Sequence, residues 1–179
     1  MSTNTYILRN SIDKYEIDTT SIENTDIRYP IDNAYENFKW KYYDVFLNVI
    51  NQEELEDGYL SKSEVLYKEI TKEYGYVFAS NFINDIYKYG IQENNLKVLL
   101  SILKIISNVT NENEINIFCV IAISLLNYKN VEIVDSAIAC FEKWGRKNDA
   151  EILKNFKEPT ESWLAEYYKN TISYLEGLE

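Results

Sequence analysis

The segment from residue 130 to residue 145 constrains the fold most, because its apolar residues follow the repeat of an amphipathic helix. Apolar side chains recur three or four positions apart along it, at Ile133, Val134, Ala137, Ile138, Phe141 and Trp144. Gly145 then closes the run, as glycine often does at the end of a helix. A second apolar run precedes this segment across a short polar turn. Neighbouring helices of this kind predict a stack that buries a shared core.

Helical spacing continues over most of the remaining chain. We predict helices over 33–52, 61–90 (one helix, or two joined near Gly75), 96–107, 115–126, 131–144, 149–156 and 160–175. Gly90 is expected to stop the second of these, and Pro159 to take the first position of the last. Only 5 glycines and 2 prolines are available for turns, which disfavours an all-β fold. The predicted fold is all-α, a helical bundle or a short α-solenoid.

The length of 179 residues fits a single domain spanning residues 1–179. Residues 1–34 space single isoleucines among polar residues without a helical period, which predicts an irregular N-terminal arm beside a helical body over 35–176. Cys119 and Cys140 lie within apolar helical runs and are expected to be reduced core thiols. With no secretion leader and no bilayer-spanning apolar run, we expect a cytoplasmic protein that does not bind membranes.

The pattern at Val134, Ala137, Ile138, Phe141 and Gly145 resembles the second helix of a HEAT-like repeat. The resemblance covers residues 93–176 and implies an α-solenoid whose second helices line a concave binding face. One residue departs from it: Asp135 stands where such repeats commonly carry an arginine, so the resemblance does not supply the internal arginine ladder. An irregular bundle remains the alternative.

Acidic residues outnumber basic ones by 29 to 18, for a formal net charge of −11. The excess is concentrated in residues 1–60, where 5 basic residues face 12 acidic ones, a net −7. A negative surface repels nucleic acid and anionic lipid, so the charge predicts no direct nucleic-acid binding and favours a protein partner with a basic surface. The alternative is that the charge only keeps the protein soluble.

The sequence lacks the usual signatures of catalysis. It contains no histidine, which is the commonest general base and a frequent metal ligand. No phosphate-binding glycine loop, dinucleotide fingerprint or spaced cysteine cluster is present. Carboxylate pairs such as Glu53 with Asp57 or Glu112 with Glu114 are expected by chance in so acidic a chain. We therefore predict that the protein is not an enzyme and has no cofactor or metal.

Candidate partner-binding residues fall on three segments of the sequence. On the helix over 33–52, a stripe that includes Trp40 and Leu47 lies away from the main apolar face and is either covered by the N-terminal arm or available to a partner. An acidic cluster follows that helix, and the outward stripe of the helix over 131–144 carries two further acids. The candidates are Trp40, Tyr43, Asp44, Glu53, Glu54, Glu56, Asp57, Asp135 and Glu142.

Two classes of function fit this sequence. The first is a small acidic antagonist, of the immunity or anti-defence type, that covers a basic protein surface. Aromatic anchors among acids would suit it, since Trp and Tyr are enriched in binding hot spots and complementary charge accelerates association. The second is a structural or adaptor subunit that joins a larger complex through its apolar and aromatic face. The sequence does not predict an oligomeric state.

Overall fold

The computed structural model describes residues 30–56 and 58–178, which contain α-helices and no strand. The predicted arm therefore lies almost wholly outside the described residues. The helices are α1 (Pro30–Gln52), α2 (Lys62–Tyr74), α3 (Tyr76–Gln92), α4 (Leu96–Ser107), α5 (Glu112–Leu125), α6 (Val131–Trp144), α7 (Asp149–Lys154) and α8 (Ser162–Glu176). The predicted all-α class is confirmed.

Side-chain caps fix where half of these helices begin. Ser61 and Glu64 form the capping box of α2, and the side chains of Asn95, Asn111 and Asn130 accept backbone N–H bonds at the starts of α4, α5 and α6. Because Asn111 caps α5, that helix begins at Glu112, three residues before the predicted start. The limits of α4 and α6 match the prediction.

Glycine and proline account for the other differences. Gly75, with φ 83°, separates α2 from α3, so the alternative with two helices is the correct one. Gly90 does not stop α3, which continues to Gln92. Pro30 takes the first position of α1, which begins earlier than predicted, whereas Pro159 lies outside α8, whose first residue is Ser162. Pro159 was therefore wrongly predicted to begin the last helix.

Helices that follow one another pack as pairs: α3 with α4, α5 with α6, and α7 with α8. The second helices also contact each other, α4 against α6 and α6 against α8. The core is centred on α4, where Leu99, Ile102, Leu103 and Ile106 are fully buried. Burial on several sides explains why the sequence of α4 is apolar almost all round.

Aromatic side chains hold α1 on this body. Phe38 is buried, and its ring contacts the rings of Tyr42, Tyr74, Phe78 and Phe82 at centroid separations of 4.8–5.9 Å. Tilted and edge-to-face pairs of this kind stabilise beyond the area they bury. The orientation of α1 on α2 and α3 is therefore fixed, and with it the direction in which the opposite side of α1 points.

Both cysteines are buried free thiols, as predicted. Desolvation by burial raises the pKa of each thiol above its ordinary value, which keeps the neutral form. Among the described helices, none combines the length and apolarity needed to cross a membrane.

Candidate protein-binding surface

Among the large hydrophobic side chains of the described residues, Trp40 is the most exposed, with 84% of its surface accessible. It lies on the opposite side of α1 from Phe38, Phe46 and Ile50, which are buried in the core. Residues spaced by four share one side of a helix, so Glu36, Trp40 and Asp44 form a single line. We call these three residues, all of them exposed, the outer face of α1.

Basic residues beside the outer face are engaged elsewhere. Lys39 Nζ lies 2.9 Å from Asp85 Oδ2, and Lys41 Nζ lies 4.7 Å from the centroid of the Tyr42 ring. Within the part of the chain that the structure describes, neither Glu36 nor Asp44 forms an ion pair. The outer face is therefore acidic around an exposed tryptophan.

The carboxylate of Asp85, a residue of α3, anchors α1 to α3 through Tyr35 and Lys39. Besides binding Lys39, it accepts hydrogen bonds from Tyr35 (3.0 Å) and from Lys88 (3.1 Å). Burial by itself would raise the pKa of Asp85, but these three donors outweigh it and hold the pKa below its ordinary value. Asp85 therefore keeps the charge that positions Lys39.

Tyr43 and Leu47 do not belong to the outer face. Both are half-buried against the core, and the ring of Tyr43 meets the rings of Phe82 and Tyr89 edge-on at 6.5 Å and 6.3 Å. The prediction that Leu47 lies away from the apolar face is wrong, because it turns towards the neighbouring helices. Tyr43 therefore supports α1 by packing against the core and does not form part of the exposed outer face.

Glu53 was predicted to lie in a solvated acidic cluster, and the structure contradicts this, since only 3% of its surface is exposed. Its carboxylate accepts hydrogen bonds from Ser63 N (2.9 Å), Ser63 Oγ (2.6 Å) and Ser101 Oγ (3.2 Å). Ser63 N–H is one of the groups that the first turn of α2 leaves unbonded, and a carboxylate is favourable there. Glu53 therefore joins α1 to the start of α2 and to α4.

The other members of the acidic cluster, Glu54, Glu56 and Asp57, are not buried as Glu53 is, or lie outside the described residues. Glu54 and Glu56 are exposed and accessible to a partner, and the backbone carbonyl of Glu56 accepts a hydrogen bond from Lys104 Nζ. Asp57 lies outside the described residues. The sequence does not distinguish Glu53 from Glu54, because the serines that bind Glu53 are distant along the chain.

Asp135 and Glu142 lie on the side of α6 that α8 approaches. Glu142 is exposed, but its Oε2 accepts a 2.6 Å hydrogen bond from Tyr167 OH of α8, and Asp135 is half-buried. Burial raises the pKa of Tyr167 above its ordinary value, and the hydrogen bond to Glu142 and the charge of Asp135 add to the rise. The predicted outward stripe is therefore only partly open, because Glu142 is exposed but bound by Tyr167 of α8, and Asp135 is half-buried.

An uncharged exposed patch on α5 was missed by the sequence analysis. Residues 115–128 carry no charged side chain, yet Val120 is 68% exposed and Ile117 is 39% exposed. The signal was available in the length of this uncharged run, but an apolar run by itself predicts burial.

The described residues include no group of three or more Cys, Asp or Glu side chains placed to hold a metal ion. No protein-family model matches the chain, and no match is found among the curated proteins or the solved structures compared with it.

Proposed function

We propose that this chain is a non-enzymatic protein-binding module of the cytoplasm. It acts as a small acidic antagonist of the immunity or anti-defence type, which covers a basic surface of another protein. The observation that carries the proposal is Trp40, 84% exposed between the exposed carboxylates of Glu36 and Asp44.

The anchor role of Trp40 follows from its chemistry. Exposed tryptophan leaves a large apolar area in water, and tryptophan is enriched among the few residues that supply most of the energy of a protein interface. The ring stands on a helix held by the Phe38 cluster, so little backbone freedom is lost when it binds.

Charge supplies the preference for a basic partner. Glu36 and Asp44 flank the ring, and Glu54 and Glu56 add exposed carboxylates where α1 ends. Lys39 is neutralised locally by Asp85. A partner surface rich in Lys or Arg would be attracted over about a Debye length, roughly 8 Å at physiological salt, and would associate faster at low salt.

The adaptor alternative is supported by the uncharged patch on α5. Val120 and Ile117 offer apolar area without the charges that make an acidic protein repel copies of itself. An adaptor that used this patch would bind with little dependence on salt, and its isolated chain would be unstable without the complex. The HEAT-like arrangement remains a prediction under both proposals; the stacked contacts of α4, α6 and α8 are compatible with it.

The test is capture of a partner by the immobilised full chain, followed by assay of the captured protein. An antagonist inhibits that protein's activity at a 1:1 ratio, and Glu36→Lys with Asp44→Lys abolishes both capture and inhibition. Glu132→Lys with Glu166→Lys is the matched control, because it makes the same charge change on exposed positions of α6 and α8.

The adaptor alternative makes the opposite set of predictions. A partner that both charge variants retain equally, and that Val120→Asp loses, would overturn the antagonist proposal and support the adaptor. A partner whose activity is unchanged at saturating ratio would also overturn it.

A further inference from the structure

A cleft of about 300 Å³ lies between α2 and the connection from α4 to α5, away from the outer face of α1. Its volume is at the lower limit of small-molecule sites. Glu64, Tyr67 and Glu114 form its buried floor, and Ile105 and Val109 contribute apolar wall.

Two carboxylates line the floor without a cation. Glu64 and Glu114 expose only 2% and 7% of their surface. Glu64 accepts hydrogen bonds from Ser61 N (2.9 Å) and Asn108 Nδ2 (2.7 Å), and Glu114 Oε1 accepts one from Tyr67 OH (2.5 Å). All these donors are neutral, and among the described residues no ion pair reaches either carboxylate. A buried carboxylate is costly unless it is paired with a cation or well supplied with hydrogen bonds, and Glu114 receives one such bond where Glu53 receives three.

Glu114 lines the cleft with one of its two carboxylate oxygens unused. Tyr67 OH donates to Oε1, and no described residue donates a hydrogen bond to Oε2. Glu114 therefore has an acceptor left for a ligand that enters the cleft.

Two lysines also line the cleft. Lys68 and Lys72 are both exposed, so they belong to its solvent side rather than to its buried floor. Neither forms an ion pair with a described residue. The cleft is therefore negative at the floor, apolar along one wall and positive on its solvent side.

We propose that this cleft binds a small zwitterion with an ammonium group and a carboxylate joined by a short apolar chain. The ammonium group donates to Glu114 Oε2, the apolar chain lies on Ile105 and Val109, and the carboxylate meets Lys68 and Lys72. This activity is additional to the proposed partner binding, because it uses no residue of the outer face of α1.

The direct test uses three probes on the full chain: 5-aminopentanoate, pentylammonium and pentanoate. They share a five-carbon chain and carry both charges, the positive charge only, and the negative charge only. Backbone amide shifts of Thr110, Asn111 and Glu114 report occupancy in an NMR titration. We expect 5-aminopentanoate to bind at least about tenfold more tightly than either single-charge probe. Equal shifts with all three probes, or none with 5-aminopentanoate, would overturn the proposal.

Matched variants locate the two ends of the ligand. Glu114→Gln keeps an acceptor for Tyr67 but removes the charge, and should weaken 5-aminopentanoate binding about tenfold or more. Glu112→Gln makes the same change two positions earlier in the chain, on a side chain that is 70% exposed, and should leave binding unchanged. Lys68→Gln with Lys72→Gln should remove the preference for 5-aminopentanoate over pentylammonium.

Folding is monitored separately, so that loss of binding is interpretable. Val109→Phe places a ring in the cleft from a half-buried wall position and should block the probe while the helical circular dichroism stays native. Undiminished binding by a folded Val109→Phe or Glu114→Gln variant would contradict the assignment of this cleft.

Discussion

Glu53 illustrates how one side chain connects separate helices. Its carboxylate accepts three hydrogen bonds from donors of α2 and α4. An acid at the end of α1, which is unfavourable there for the dipole of α1, thus becomes favourable for the dipole of α2. Its role at this position is structural.

Glu53→Ala is expected to destabilise the protein by about 2–4 kcal/mol, because Ser63 and Ser101 would keep buried donors without an acceptor. Glu54→Ala, at the next position and exposed, should change stability by less than about 0.5 kcal/mol. Urea unfolding followed by circular dichroism measures both. Equal stability of the two variants would contradict the structural role of Glu53.

Tyr67 makes stability depend on pH in the alkaline range. Burial raises its pKa above the ordinary value of 10.0, and the hydrogen bond to Glu114 adds to the rise. The folded protein therefore retains a proton that the unfolded chain loses, so stability is complete below pH 10 and decreases as pH rises above it.

Tyr67→Phe should flatten this alkaline decrease, since the group that titrates differently in the two states is gone. Tyr35 and Tyr167, whose pKa values are also raised by burial, keep part of the slope. Unfolding free energies measured between pH 8 and pH 11.5 give the comparison. A slope as steep in Tyr67→Phe as in the unchanged protein would contradict this assignment.

Among the elements, α3 and α4 pack against each other at Gly90. A Cβ at this position would lie 2.9 Å from Leu99 Cδ2, a methyl group that is fully buried and has little room to move. The glycine therefore serves helix packing within α3, although the sequence pattern suggested that it ends the helix.

Gly90→Ala gains about 1 kcal/mol of helix propensity but introduces overpacking that costs about 1–3 kcal/mol, so we expect net destabilisation of about 1 kcal/mol. In a Leu99→Ala background the closest contact is removed and Val98 Cγ1, at 3.1 Å, remains, so the same substitution should cost less than in the unchanged protein. A double-mutant cycle by urea unfolding tests this. Additive effects of the two substitutions would rule out the proposed contact.

The sequence predicted the limits of a helix correctly where a capping residue directly precedes a continuous apolar stripe. Asn95 and Asn130 precede continuous apolar stripes, and α4 and α6 have the predicted limits. The start of α5 was misplaced because its first turn is polar and only the cap of Asn111 marks it. Partners distant in the chain, such as those of Glu53 and Glu142, leave no local pattern, which is why the acidic candidates could not be sorted from the sequence.

At the scale of the whole molecule, the helices pack as pairs, and α1 packs against α2, α3 and α4. The aromatic cluster around Phe38 fixes α1, and this orientation presents Trp40 with its acidic neighbours. The sequence located Trp40 on the less apolar side of its helix. The predicted arm, which would cover Trp40 in one of the two alternatives, lies outside the described residues.

The dissociation constant of the complex with the captured partner, compared between Trp40→Ala and Trp163→Ala, tests the central claim most directly. Trp163 is a matched control, because it is also an exposed tryptophan, 54% accessible, but lies on α8. A hot-spot residue contributes about 2 kcal/mol or more, so Trp40→Ala should weaken binding by about 30-fold or more, with Trp163→Ala close to the unchanged protein. Equal affinity of all three proteins would contradict the outer face of α1 as the binding surface.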